Sequence, residues 1–274
     1  MLVSPVLKWV GGKRQLIDEI MPRIPSHTKY VEPFVGGAAI LFELQPHKAI
    51  INDSNAELIN VYNMIKEKPD ELIKKLMIHE SNNSEDYYYS IRELDRDKTY
   101  NNLSALDKAA RIIYLNKTCY NGLFRVNSAG EFNTPYGKYK NPNIVNSTTI
   151  KEVSLYLNEN EITILNLDFK EAIKNLRKDC FVYFDPPYVP ISSSSSFTGY
   201  TEGGFSLKNQ KELKIICDGF TKRGIKFMQS NSDSPFVREL YRNYTIVSVK
   251  ARRSINSDAG KRGGVGEVLI MNYE

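Results

Sequence analysis

Strand–helix–strand alternation constrains the fold of this chain more than any other feature of its sequence. Tyr30-Val31-Glu32 reads as a short strand entering the loop Pro33-Phe34-Val35-Gly36-Gly37, with a helical run from Ala38 to Leu44 behind it. Ala49-Ile50-Ile51-Asn52-Asp53 is an apolar strand that ends on an acid. A helix is expected from Asn55 to Lys66, because Leu58, Ile59, Tyr62 and Ile65 recur at core-facing spacing. Such alternation builds a parallel sheet covered by helices. Further strands are expected at 161–165, 181–184 and 225–228. The last two apolar runs, Tyr244 to Val249 and Glu267 to Asn272, are joined by a Gly- and Arg-rich loop. So short and direct a connection favours an antiparallel pair.

Residues 69–145 interrupt this pattern. Two polar helices are expected there, at 69–98 with a break and at 104–117. An irregular Asn-, Gly-, Tyr- and Pro-rich stretch follows from Thr118 to Val145. The segment reads as an insertion, so that 1–68 and 146–274 form one α/β domain. A chain of 274 residues can bury the core this needs. Its formal charge of +5 permits a nucleic-acid partner without requiring one. Cys119, Cys180 and Cys217 are far apart, as are His27, His47 and His79, so neither a metal site nor a redox pair is expected. With no signal-peptide pattern, a reducing cytoplasmic compartment is expected. No apolar stretch approaches the roughly 20 residues of a membrane span. Ser192 to Ser196 is the one low-complexity run and reads as a flap.

The run Phe181-Val182-Tyr183-Phe184 delivers Asp185-Pro186-Pro187-Tyr188. The Asp185 carboxylate is an acceptor for a proton-bearing amine. Pro186 has no N–H, so its peptide offers that amine only a carbonyl. Consecutive prolines restrict φ and hold both acceptors in place. Tyr188 adds a flat face for a planar ring. The set suits an exocyclic amino group on an aromatic base. The plainer reading is a strand ending in a turn, where Asp and Pro are ordinary.

Gly36 and Gly37 lie where the first strand turns into the first helix, which allows a tight turn and a close ligand. The loop is neither G-x-G-x-x-G nor a P-loop, so a dinucleotide or triphosphate is poorly supported. Asp53 suits ribose hydroxyls, and Asp168, after the strand at 161–165, suits an adenine amino group. Each acid alone also reads as a surface or capping residue. Lys8-Trp9-Val10-Gly11-Gly12-Lys13 sets two cations and the only tryptophan around a Gly-Gly turn. A core tryptophan flanked by solvated lysines is the alternative.

Six motifs in order carry a resemblance that spans most of the chain. They are Lys8-Trp9-Val10-Gly11-Gly12-Lys13-Arg14, Glu32-Pro33-Phe34-Val35-Gly36-Gly37-Ala38, Asn52-Asp53-Ser54-Asn55-Ala56-Glu57, Tyr120-Asn121-Gly122-Leu123-Phe124-Arg125, Pro135-Tyr136-Gly137-Lys138-Tyr139 and Asp185-Pro186-Pro187-Tyr188. The chain resembles the DNA N6-adenine methyltransferases of the Dam type, the group that methylates adenine in GATC. Its order of cofactor loop, target-recognition insertion and catalytic loop is similar to the α class of amino methyltransferases. It departs from the pattern at Ala38, where relatives often carry a third glycine, and at Leu167, where glycine is common.

The resemblance implies an α/β fold: a Rossmann-like, S-adenosylmethionine-dependent methyltransferase sheet of seven strands, the last antiparallel, with a mainly helical target-recognition insertion. It implies that Trp9, Lys13, Phe34, Gly36, Asp53, Asp168 and Asp185 line a pocket for S-adenosyl-L-methionine, released as S-adenosyl-L-homocysteine, and that no metal takes part. Asp185, Pro186 and Tyr188 are the expected catalytic set, acting on an adenine flipped from double-stranded DNA. Lys8, Tyr120, Asn121, Arg125, Pro135, Lys138, Tyr139, Arg252 and Arg253 are expected to contact that DNA. Arg125 and Lys8 suit guanine edges, Tyr120 a wedge beside the flipped base, and Asn121 the orphaned partner base. Plain phosphate contact is the alternative for Arg125 and Lys138. It is the expectation for Arg252, Arg253, Lys261 and Arg262. A monomer in the bacterial or phage-infected cytoplasm is expected, with or without a cognate restriction endonuclease. Two rivals stand beside this reading. An RNA or protein-side-chain methyltransferase is disfavoured by the basic insertion, and a catalytically silent DNA-binding module by the intact Asp185 loop and Asp53.

Overall fold

The computed structural model describes residues 3–189, 205–251 and 265–274. Seven strands form one sheet: β1 (Lys29–Glu32), β2 (Lys48–Asn52), β3 (Glu161–Leu165), β4 (Cys180–Phe184), β5 (Lys226–Ser232), β6 (Thr245–Ala251) and β7 (Val265–Met271). Their order is β3-β2-β1-β4-β5-β7-β6. Strands β1 to β5 pair in parallel, and β7 is antiparallel to β5 on one side and to β6 on the other. The expected sheet, last strand antiparallel, is the observed one.

Among the described residues the helices are α1 (Ile17–Ile20), α2 (Ala39–Leu44), α3 (Ala56–Glu67), α4 (Pro69–Ser81), α5 (Glu85–Glu93), α6 (Ala105–Thr118), α7 (Ser147–Glu159), α8 (Phe169–Ala172), α9 (Leu207–Arg223) and α10 (Pro235–Leu240). Side-chain caps fix several starts. Asn55 accepts from the Leu58 N–H, Ser84 from that of Tyr87 and Ser104 from that of Asp107. Helices α7 and α9 had no counterpart in the sequence reading. The break expected between 69 and 98 falls between α4 and α5.

β4 is buried on both faces, which explains its unbroken apolar run. Its side chains alternate between two cores. Phe181 and Tyr183 join Tyr30, Met228 and Leu269 under one helical layer. Val182 and Phe184 join Val31, Phe227, Val268 and Ile270 under α8, α9 and α10. The first core continues into the 69–145 segment through Leu72, Leu76, Tyr88, Ile112, Ile113 and Leu115. Helix α6 is therefore not the polar helix its lysines suggested. It packs between α3 and α4 with most of its length buried, Arg111 and Asn116 included.

Arg111 is neutralised where it is buried. Its guanidinium pairs with Asp95 at 2.8 Å and donates to the carbonyls of Ile91 and Arg92. Asp95 also accepts the N–H of Phe132 at 2.8 Å, and Arg96 donates to the Phe132 carbonyl at 3.1 Å. This network ties the helices to the stretch read as irregular, which is partly a hairpin. Val126 bridges Phe132, Cys119 bridges Tyr136, and Asn127 Oδ1 closes the tip by accepting from Ala129 and Glu131.

Candidate active site

Chain topology points to one crevice. The chain moves outward from β1 through β2 to β3, then crosses to β4 on the other side of β1. In open α/β sheets the cleft outside the carboxyl ends of strands at such a reversal holds ligands. The loops that meet there are 33–38 after β1 and 185–189 after β4. They carry the glycine pair and Asp185-Pro186-Pro187-Tyr188.

The second loop is held from neighbouring elements, because its two prolines supply no N–H of their own. Asp185 Oδ1 accepts from Ser230 Oγ at 2.8 Å and pairs with Lys13 Nζ at 2.8 Å. Tyr183 Oη donates to Ser230 Oγ at 3.2 Å from below. Gln210 of α9 donates to the Pro187 carbonyl at 2.9 Å, and Asn231 in turn donates to Gln210 Oε1. Tyr188 Oη donates to Glu267 of β7 at 2.6 Å, which sets the plane of its ring. Burial pushes the Tyr188 phenol well above its ordinary range, reinforced by the Asp185 and Glu267 charges, so it stays neutral. Lys13 Nζ stands 4.8 Å over that ring and also donates to the Gly11 carbonyl. Glu32, at the end of β1, is buried and accepts from Tyr30 Oη at 3.0 Å. Burial raises its carboxyl well above the usual range and the Asp185 charge adds to this, which favours the protonated acid.

The first loop is shaped by contacts that a side chain would break. Gly36 has φ +46°, and a Cβ there would lie 2.9 Å from Trp9 Cδ1. Its N–H donates to Asp53 Oδ2 at 3.1 Å and its carbonyl accepts from Tyr62 Oη at 2.6 Å. Asp53 Oδ1 accepts from the Asn55 N–H at 2.9 Å. Burial raises the Asp53 carboxyl, opposed by these backbone donors. Ala38, in place of the third glycine, adopts φ +57° as the residue before α2. Asn52, buried at the end of β2, donates to the carbonyls of Pro33 and Leu167 and accepts from the Leu167 N–H. One amide thus ties the loops after β1, β2 and β3. Phe34 lies 5.1 Å from Phe169 and 5.6 Å from Phe205, ring to ring. Asp168 is exposed and caps α8 through the Lys170 N–H, the bland role its residue type also predicts.

The N-terminal segment joins this cleft to the 118–139 stretch. Trp9, half-buried, packs against Gly36 and Gly37 and stacks on Phe124 at 4.8 Å. Lys8 is exposed, and its backbone is held by Asn116. Tyr120 is exposed, with its N–H on the Pro135 carbonyl. Asn121 takes φ +56° and donates its N–H to Tyr139 Oη. Arg125 is exposed and donates to Asn133 twice, from Nε at 2.7 Å and from Nη2 at 3.2 Å. Pro135 is exposed, and Lys138 pairs with Glu85 at 3.4 Å on the surface. Arg252, Arg253, Lys261, Arg262 and the serine run 192–196 lie outside the described residues.

Sequence reasoning missed Ser230, Gln210, Asn231, Glu267, Asn116 and Asn133. Only the polar run after Met228 hinted at them. That strand, read as ending at residue 228, continues to Ser232 with its polar residues buried. Among the described residues no cluster of His, Cys, Asp and Glu could hold a metal, and no helix is long and apolar enough to cross a membrane.

Residues 9–255 match the family model of the D12 class N6 adenine-specific DNA methyltransferases. The chain is 44% identical over 272 residues to the Type II methyltransferase M1.LlaDCHI of Lactococcus lactis subsp. cremoris, covering 99% of this chain and 96% of that one. It is 41% identical to the Type II methyltransferase M.MjaIII of Methanocaldococcus jannaschii, over the whole of both chains. The DNA adenine methylase of Escherichia coli K12 is 34% identical over 97% of this chain and 94% of its own. These similarities extend across the glycine loop, the 69–145 segment and the Asp185 loop, and they decide against the RNA and protein substrates that an isolated Pro-Pro-Tyr loop leaves open. The chain belongs to the D12 class of N6 adenine-specific DNA methyltransferases.

Proposed function

We propose that this methyltransferase uses S-adenosyl-L-methionine, acts on an adenine flipped out of duplex DNA, and reads GATC through its 69–145 segment. The observation that carries the reading is the meeting of the Asp185 carboxylate and the Gly36–Asp53 pair at the reversal point of the sheet. The cleft has the right donors and acceptors for the cofactor. Asp53 offers a carboxylate fixed by the Gly36 and Asn55 N–H groups, with Trp9 packed against the glycine loop and no phosphate cradle. S-adenosylmethionine, when bound there, supplies the electrophilic methyl group.

The protein's own residues act on the amine. Adenine N6 is a poor nucleophile because its lone pair is delocalised into the ring. Hydrogen bonds from its two N–H groups to Asp185 and to the Pro186 carbonyl favour a pyramidal nitrogen and free that lone pair. Ser230 holds the Asp185 carboxylate, and Gln210 fixes the loop one residue beyond Pro186, at the Pro187 carbonyl, before the base arrives, so little reorganisation is left for the reaction. Tyr188, oriented by Glu267, stacks on the base and recovers part of the few kcal/mol that unstacking costs. Lys13 bonds Asp185 Oδ1 and stands over the Tyr188 ring, so it lies next to both groups that the incoming amine would meet.

Arg125 and Lys8 address guanine edges in this reading, each contact discriminating by about 1–3 kcal/mol. Tyr120 and Asn121 stand beside the gap left by the flipped base. Two of the relatives are named Type II methyltransferases. On that similarity we assign a protective role beside a restriction endonuclease of the same specificity. Sequencing the methylated positions in DNA from cells expressing the chain tests base, atom and site together. In the same assay Asp185→Ala is expected to lower methylation by at least about a hundredfold while the protein stays folded. Substantial transfer by that variant, or methylation outside GATC, overturns the corresponding part.

A further inference from the structure

Lys8 and Asn116 are 108 residues apart and share two hydrogen bonds, and Asn116 makes a third to Gly122. Asn116, on α6 and 2% exposed, accepts the Lys8 N–H through Oδ1 at 3.0 Å. Its Nδ2 donates to the Lys8 carbonyl at 2.8 Å and to the Gly122 carbonyl at 3.2 Å. Both N–H groups and the oxygen of the amide are therefore used. Gly122, at φ +64°, also lies against the Lys8 stem. A Cβ there would be 2.8 Å from Lys8 Cδ and 3.0 Å from Lys8 Cβ. The segment carrying Lys8 is thus held at its backbone by α6 and at its side-chain stem by the loop that carries Tyr120, Asn121 and Arg125.

We propose that Asn116 is a specificity-determining positioning residue. It fixes Lys8 in register with the 120–125 loop, so that contacts from opposite ends of the sequence fall on one DNA site. The proposal rests on Lys8 reading a base. A lysine side chain has four rotatable bonds, and an ammonium on a loose segment reaches phosphates and neighbouring bases alike. Such a contact adds affinity at every sequence and information at none. Anchoring the peptide at both polar groups and pressing the stem onto Gly122 removes that freedom. The ammonium is then left facing one base edge. Asn116 touches neither cofactor nor base in this account, and works by tying the Lys8 backbone to the Gly122 carbonyl.

The test uses the full-length chain, tritiated S-adenosylmethionine, and duplexes carrying the mapped recognition sequence and each of its single-base substitutions. Lys8→Ala should relax discrimination at one base pair by roughly five- to a hundredfold, the range of one base contact. Asn116→Ala should relax the same base pair by at least about fivefold, with discrimination elsewhere as in the parent, including at the pair sensitive to Arg125→Ala. Gly122→Ala leaves the Asn116 amide intact and displaces the Lys8 stem, so it should relax that same pair. It also decides the matter if Asn116→Ala does not fold. A uniform loss of transfer on all duplexes, or relaxation at a pair other than the Lys8 pair, overturns the proposal. If Lys8→Ala relaxes a pair and neither clamp variant does, the proposal alone fails. If Lys8→Ala relaxes none, base reading by Lys8 fails and the proposal falls with it.

Discussion

At the scale of single residues, environment decides what an ordinary side chain does. His79 on α4 accepts or donates at Nδ1 with Tyr87 Oη at 2.8 Å and stacks on Tyr114 with ring centroids 4.9 Å apart. Burial lowers its pKa from 6.5 to about 4; Lys75 adds to this and Asp107 opposes it. Above pH 6.5 the ring is neutral in both folded and unfolded chains, so it contributes no pH dependence there. As pH falls from 6.5 to about 4 the unfolded chain takes up a proton that the folded one refuses, and stability is lost across that window. Urea midpoints of the parent and His79→Gln should converge as the pH falls through that interval. A constant gap between them would show that the ring titrates alike in both states. Tyr188 makes a second case. Tyr188→Phe keeps the stacking face and loses the bond to Glu267. Its kcat should fall by less than that of Tyr188→Ala, and Glu267→Gln should resemble the milder variant. Equal losses for Phe and Ala would mean that the hydroxyl, not the ring, matters.

Elements show which parts of the site a sequence exposes to reading. Asp53 and Asp185 each end an apolar run, and Gly36 and Gly37 open a helix, so their place at the carboxyl edge of a sheet followed from local pattern alone. Ser230 and Asn231 end a strand too, but as polar residues they read as the start of a loop. Their burial depends on pairing with β7, far along the chain. Asn116 and Gln210 lie in helices with one face toward a distant loop, and helical periodicity does not single out one amide. Asn52 lies between these cases, beside a legible acid but with partners 19 and 115 residues away. Replacing it by leucine leaves two carbonyls and one N–H unpartnered near the cleft. A loss of about 1–3 kcal/mol in stability is expected, with a larger proportional loss in S-adenosylmethionine affinity, read by denaturation and by calorimetric titration. Unchanged cofactor binding in a destabilised protein would confine Asn52 to folding.

On the scale of the whole molecule, the first core runs without interruption from the sheet into the 69–145 segment. The stability of that segment is therefore shared with the sheet. Arg111→Met tests the sharing. It leaves the half-buried Asp95 with Arg96 as its remaining cation and loosens the hold on Phe132. A loss of about 1–3 kcal/mol is expected, in a single unfolding transition followed by both circular dichroism and tryptophan fluorescence. Two separated transitions would mark the segment as an independent unit.

β7 follows β6 in the chain, yet it lies inside the sheet between β5 and β6 and supplies Glu267 to the Tyr188 hydroxyl. A growing chain on the ribosome therefore holds the glycine loop, both acids and the Pro-Pro turn long before it can use them. β6 has no partner beside β5 until β7 has emerged. A chain that stops before β7 is therefore expected to leave DNA unmarked. A frameshift just upstream of Val265 should leave cells with unmodified sites, not with a weakened or promiscuous enzyme.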